Sequence, residues 1–138
     1  MIELLTANTP NGKKISIMLE EINFKYKVTK VNINKDEQFK PEFVKLSPFR
    51  KIPVIIDHEN NQSLFESGAI LIYLAEKSGK FYDKENRTQI NQWLMGQMAY
   101  VGPMLGQHHQ FHHYNPGKSK FGEDRYFRIS ERIYKELD

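Results

Sequence analysis

The order in which hydrophobic periods follow one another narrows the fold more than any other feature. Strand-like runs and helical stretches alternate up to Ser78, whereas only helical spacing follows Asn86. Ile2 to Thr6 reads as a short buried strand. After the loop Ala7-Asn8-Thr9-Pro10, apolar residues recur at Ile15, Met18, Leu19 and Ile22, which is helical spacing, and Asn11 is the expected N-cap. Lys27 to Ile33 reads as a second strand and Pro41 to Leu46 as a short helix. Ile52 to Asp57 reads as a strand, Glu59-Asn60-Asn61-Gln62 as a hairpin turn, and Ser63-Leu64-Phe65 as the partner strand. A helix from Glu66 to Ser78 follows, with Gly79 at its C-terminal stop.

Two strands joined by a helix form a right-handed parallel crossover, so the chain opens as an α/β sheet. A βαβ unit followed by ββα is the thioredoxin pattern. The polar stretch Lys80 to Asn86 contains the linker. A helix beginning near Glu85 to Thr88 should then run through Trp93, Leu94, Met98 and Val101, with a kink or break at Gly102-Pro103. Asn115 to Ser119 is a polar loop, and the last helix places Tyr126, Ile129, Ile133 and Leu137 on one stripe. The expected organisation is a thioredoxin-like domain over 1–80, a linker over 81–86 and a partial all-α domain over 87–138.

Composition excludes several classes of function. With Cys 0, the chain has no thiol nucleophile, no metal thiolate and no C-x-x-C pair, so any sulfur chemistry must use the substrate's sulfur. The net charge of +3 comes from 20 Lys and Arg interleaved with 17 acids along the whole chain, which argues against a dedicated nucleic-acid face. The longest apolar run, Ala69 to Ala75, is far short of the roughly 20 residues of a membrane span. Ile2, Glu3 and Leu4 after Met1 lack the basic start of a secretory signal, so a cytoplasmic address is expected.

Three stretches, Thr9-Pro10-Asn11-Gly12, Lys51-Ile52-Pro53 and Glu66-Ser67-Gly68-Ala69-Ile70, resemble the glutathione transferase superfamily. Gly102-Pro103-Met104-Leu105-Gly106-Gln107 and Asp124-Arg125-Tyr126 are similar to the Nu-class disulfide-bond oxidoreductase subgroup, which is related to the yeast nitrogen-regulatory prion protein. The resemblance covers essentially the whole chain. Against the family pattern the helical domain is expected to be C-terminally truncated, with the sequence stopping at Asp138.

The resemblance implies a glutathione-dependent transferase or disulfide-bond oxidoreductase, with glutathione as co-substrate and a small electrophile or disulfide as second substrate. Ser67 and the helix-end amides would hold the γ-glutamyl carboxylate and Glu66 its ammonium; read alone, Ser67 is a simple N-cap. Pro53 would be cis, freeing the main chain of Ile52 to pair with the cysteinyl unit; read alone, Pro53 merely opens an edge strand. Gln38 and Lys51 match positions near the glycyl end, and Gln38 reads equally as a solvated loop residue. Thr9 and Asn11 would donate to the glutathione sulfur, as the residues of catalysis. Arg125 matches an arginine that reaches a second glutathione unit, and otherwise reads as a solvated helix charge.

His108, His109, His112 and His113 contain two i, i+4 pairs, a spacing that metal sites use. No Cys and no Glu within the stretch completes a metal motif, so no metal is expected, and the histidines read as a pocket wall or dimer surface. A homodimer is expected, because the last helix's stripe has fewer helices to cover it. The competing reading is a non-catalytic glutathione-binding or regulatory module.

Overall fold

Alternation along strand β1 (Ile2–Thr6) turns Ile2 and Leu4 to one face of a sheet, where both are buried, and Glu3 and Leu5 to the other. In the computed structural model, which describes residues 1–138, this strand lies inside a four-stranded sheet of order β2-β1-β3-β4. Strand β2 (Tyr26–Lys30) runs parallel to β1, while β3 (Val54–Asp57) is antiparallel to both β1 and β4 (Gln62–Phe65). Helix α1 (Pro10–Glu21) supplies the crossover and buries Ile15, Met18 and Leu19; α3 (Ser67–Ser78) packs beside it and buries Ile70, Leu74 and Ala75. With Ile2, Leu4 and Ile55 these side chains form the main core. Each fully buried aliphatic among them contributes about 1.5–3 kcal/mol. A smaller core on the opposite face joins Val31, Val54 and Phe43 of helix α2 (Pro41–Leu46) to Leu5 and Phe65. The expected thioredoxin-like sheet is therefore present.

Two boundaries in the sheet differ from expectation by more than one residue. Strand β2 ends at Lys30, not Ile33: the Val31 amide still reaches the Thr6 carbonyl at 2.8 Å, but Asn32 then accepts from the Asn34 amide and starts a 3-10 turn over Ile33–Lys35. Short polar side chains that bond to nearby backbone compete with the ladder. Strand β3 begins at Val54, because Ile52 and Pro53 lead into it without joining the ladder, and the Ile52–Pro53 bond is cis as expected.

The chain divides into two units, Met1–Asn86 and Arg87–Asp138. In the second, Gly102-Pro103 does not break the helix. Helix α4 (Arg87–Gly96) widens into a π-helical turn over Gln97–Val101, where the Gly102 amide bonds to the Gln97 carbonyl, and continues as α5 (Gly102–His109). Proline lacks the amide that the preceding turn would use and its ring crowds that turn's carbonyl, so one widened turn absorbs the mismatch. A second π turn covers Gln110–Tyr114.

Helix α6 (Lys120–Leu137) opens on Ser119, whose hydroxyl accepts from the Gly122 amide at 3.1 Å, and packs against α5. A Cβ on Gly122 would run into the Phe111 ring, which stacks on Tyr126 with centroids 5.3 Å apart. The apolar stripe of α6 is thus only partly bare: Ile133 is buried and Tyr126 and Ile129 are half-buried, while Leu137 stays exposed. No helix is long and apolar enough to cross a membrane.

Candidate functional site

The register lines up Leu5, Val54 and Phe65 in one row across β1, β3 and β4. Because β1 and β4 are both antiparallel to β3, their C-terminal ends and the N-terminal end of β3 lie at the same edge of the sheet. Three segments leave or enter there: the Thr6–Thr9 loop before α1, Ile52–Pro53 before β3, and Glu66–Ser67 at the start of α3. Strand β2, parallel to β1, ends at the same edge and leads to the segment bearing Gln38. The topology so gathers Thr9, Asn11, Gln38, Lys51, Ile52, Glu66 and Ser67 at one end of the first unit.

The start of α1 differs in detail from expectation, since Thr9, not Asn11, is its N-cap. Pro10 occupies the first turn, where its missing amide costs nothing, and the Thr9 Oγ1 accepts from the Gly12 amide at 3.2 Å. Gly12 is buried so tightly that a Cβ would collide with the Thr6 hydroxyl and the Ala7 carbonyl, so this turn sits directly on the β1 exit. The cap uses a lone pair of the Thr9 oxygen and leaves its hydroxyl proton undonated. Relieved of capping, the exposed Asn11 side chain makes no bond within the chain.

At the other helix start, Glu66 has φ 67 and ψ 114, left-handed backbone that a residue with a Cβ rarely adopts. Its carbonyl accepts from the Ile70 amide at 3.0 Å, but its side chain makes no cap bond and is exposed. The helix start of α3, whose first amides have no carbonyl partner within the helix, thus lies beside an exposed carboxylate and the buried Ser67. This pairs a carboxylate with an amide-rich, electropositive helix end, an arrangement complementary to a zwitterion.

Gln38 donates weakly to the Ile33 carbonyl at 3.4 Å and its Oε1 is buried with no partner. Lys51 is exposed, and its backbone is fixed by Ser47, which sequence reasoning missed. Ser47 is buried; its hydroxyl donates to the Lys51 carbonyl at 2.8 Å and accepts from the Lys51 amide at 3.1 Å, which sets the approach to Ile52–Pro53. A serine directly before Pro48, just past a short helix, was the available signal. Lys14 is half-buried on α1, and that burial lowers its pKa while the charge of Glu66 opposes the shift.

Arg125 belongs to the other unit, exposed on α6. The four histidines also lie there: the His108 and His112 rings are 4.4 Å apart and those of His109 and His113 4.6 Å. His112 Nε2 lies 3.0 Å from the Glu123 carbonyl, and burial, with His112 and His109 nearby, holds the His108 pKa below its usual value. No group of three or more His, Asp or Glu side chains converges as metal ligands would. A groove of about 350 Å³ in this unit is lined by Trp93, Gln97, Tyr100, Val101, Ile133 and Leu137.

A four-stranded sheet of this order, with two helices starting at one edge, is the thioredoxin-like class of fold. Residues 2–76 match the glutathione S-transferase N-terminal domain family, and the chain belongs to the glutathione S-transferases. It is 46% identical to the disulfide-bond oxidoreductase YfcG of Escherichia coli over 145 residues, an alignment that takes in 100% of this chain and 67% of that protein. The transcriptional regulator URE2 of Saccharomyces cerevisiae is 35% identical over 136 residues, covering 92% of this chain and 38% of its own length. A glutathione transferase from Pseudomonas putida, crystallised with one glutathione disulfide per subunit, superposes with a TM-score of 0.89 at 45% identity, over 99% of this chain and 63% of that one. The chain thus spans between about two fifths and two thirds of the length of these relatives.

Proposed function

We propose that this protein binds glutathione at the sheet edge and uses its thiolate to reduce disulfides. The observation that carries this reading is the meeting, at one edge, of an undonated Thr9 hydroxyl at the start of α1 with the exposed Glu66 carboxylate and the N-terminal end of α3, in a chain with no thiol of its own. The γ-glutamyl ammonium pairs with Glu66, and its carboxylate takes the Ser67 hydroxyl and α3 amides. The cysteinyl unit pairs with the Ile52 main chain, and Gln38 and Lys51 reach the glycyl end. Thr9 and Asn11 donate to the sulfur, and the α1 dipole favours its ionised form.

In the reaction, the glutathione thiolate attacks one sulfur of a disulfide and expels the other as a thiolate, forming a mixed disulfide. A second glutathione thiolate then attacks the glutathione sulfur of that mixed disulfide and releases the remaining thiol. Two glutathiones are oxidised to one glutathione disulfide, and the substrate disulfide is reduced to two thiols. Arg125 serves the second glutathione unit, and the protein acts as a homodimer whose surface includes the exposed Trp93, Met95 and Leu137. Likeness to an oxidoreductase and to a protein with bound glutathione disulfide supports this chemistry.

Likeness to a transcriptional regulator supports a second reading, a binding module without turnover. Calorimetric titration with glutathione and glutathione disulfide, followed by a disulfide-reduction assay on the same sample, separates the two. We expect binding and turnover in the natural chain, and loss of binding with an unchanged circular dichroism spectrum in the Glu66→Ala, Ser67→Ala double variant. Unchanged affinity in that variant would place the ligand elsewhere, and binding without turnover would select the module.

A further inference from the structure

We propose that Ser47 is a positioning residue for ligand binding: it turns the Lys51–Ile52 peptide so that the Ile52 amide is presented to the carbonyl of the ligand's cysteinyl unit. This rests on the glutathione reading of the site.

Every polar group of Ser47 is engaged within the chain. The residue follows α2 and is buried; its amide donates to the Phe43 carbonyl at 2.9 Å and its carbonyl accepts from the Arg50 amide at 2.8 Å. Arg50, in left-handed backbone with φ 56, reverses the chain and brings Lys51 back beside the Ser47 side chain. There the hydroxyl donates to the Lys51 carbonyl at 2.8 Å and accepts from the Lys51 amide at 3.1 Å. Ser47 so does for Lys51 what a neighbouring strand does in a ladder, meeting the N–H and the C=O of one residue on the same side. Its hydroxyl proton is already given to Lys51, so its effect on a ligand passes through Lys51 and Ile52.

The peptide plane carries that effect. A trans peptide holds its C=O and N–H on opposite sides of one plane, and the Lys51–Ile52 bond is trans. With the Lys51 carbonyl directed at the buried Ser47, the Ile52 amide is directed the other way. It makes no hydrogen bond within the chain: β3 starts only at Val54, and Pro53 between them has no amide. The Ile52 side chain meanwhile packs on the smaller core of Val31, Phe43 and Val54. The residue is thus anchored by its side chain and its plane is set by Ser47, which leaves one main-chain donor at the sheet edge without a partner. Such an amide is complementary to the carbonyl of an extended peptide. Without the Ser47 hydroxyl the plane turns more freely, and the amide must be ordered at the moment of binding.

The test compares S-hexylglutathione with its (E)-alkene isostere at the cysteinyl–glycyl bond, which keeps the shape and charges of the ligand but has no carbonyl for the Ile52 amide. Ser47→Ala should weaken binding of the first roughly 3- to 10-fold by calorimetry and leave that of the second unchanged. Ser47→Thr, which keeps the hydroxyl, should restore the natural preference. Equal weakening of both ligands would mean that Ser47 only holds the unit together, and no weakening of either would mean that other contacts fix the peptide; each overturns the proposal. Residual dipolar couplings of the unliganded protein supply an independent reading. The Ile52 N–H coupling should change in Ser47→Ala and return in Ser47→Thr while those within β1 stay put, and an unmoved Ile52 coupling rejects the positioning role. If the natural chain binds neither ligand, the glutathione reading falls and the ligand role of Ser47 with it, while the couplings still decide whether Ser47 sets the peptide plane.

Discussion

Thr9 and Asp57 show how single polar residues at opposite ends of β3 are used. At the edge where the glutathione site is proposed, one oxygen of Thr9 caps α1 and keeps its proton, so under that proposal stability and chemistry share an atom. At the other end Asp57 is fully buried; it accepts from the Tyr73 hydroxyl at 2.6 Å and the Glu59 amide at 3.0 Å, and pairs with Lys77 at 2.8 Å. Burial alone pushes the Asp57 carboxyl up, but Lys77, Tyr73 and the amide overcome it and hold the pKa at about 2. An unfolded aspartate titrates near 4, so the stabilisation is fully present above about pH 4 and drains away as pH falls toward the folded value. It amounts to on the order of 2 kcal/mol. Urea denaturation of the natural chain and Asp57→Asn from pH 7 to pH 2 should show the variant less stable by about that amount at neutral pH, with the gap closing below pH 4. A gap that stays constant would show that the Asp57 charge contributes nothing.

At the scale of elements, the strand–helix order was legible because periods of two and of about 3.6 residues are set by side chains alternating or spiralling along the chain. The stops were less legible. Asn32 ends β2 through a local bond to Asn34, and Thr9 displaces Asn11 as cap because proline suits the first helical position. The π turn before Pro103 leaves no periodic mark, since it changes which carbonyl is used and not which residues are apolar. Ser47 escaped for a related reason: its role depends on what the fold brings beside it. Ser47 ties both backbone groups of Lys51 in place, so Ser47→Ala should leave two peptide groups poorly satisfied and cost about 1–3 kcal/mol. The loss should be accompanied by faster exchange of the Lys51 amide. A variant of unchanged stability and exchange would show that the loop is held by other contacts.

The whole molecule distributes its core unevenly. Among buried apolar side chains, all but Ile133 lie in the first unit, and both core clusters are built there. The second unit, with that single buried apolar side chain, exposes Trp93 at 64%, Met95 at 50%, Phe121 at 74%, Tyr134 at 65% and Leu137 at 52%. A helical segment with so little buried surface opens with a smaller free energy than a packed sheet. It gains protection if a second copy covers those groups, because whatever binds the folded form alone stabilises it by mass action. Hydrogen exchange followed by mass spectrometry should therefore find amides in 2–75 the slowest and those in 87–138 faster. Raising the protein concentration through the dimerisation range should slow the second set and leave the first nearly unmoved. Exchange in 87–138 that ignores concentration, with light scattering giving 16.3 kDa throughout, would show that no second copy covers this surface.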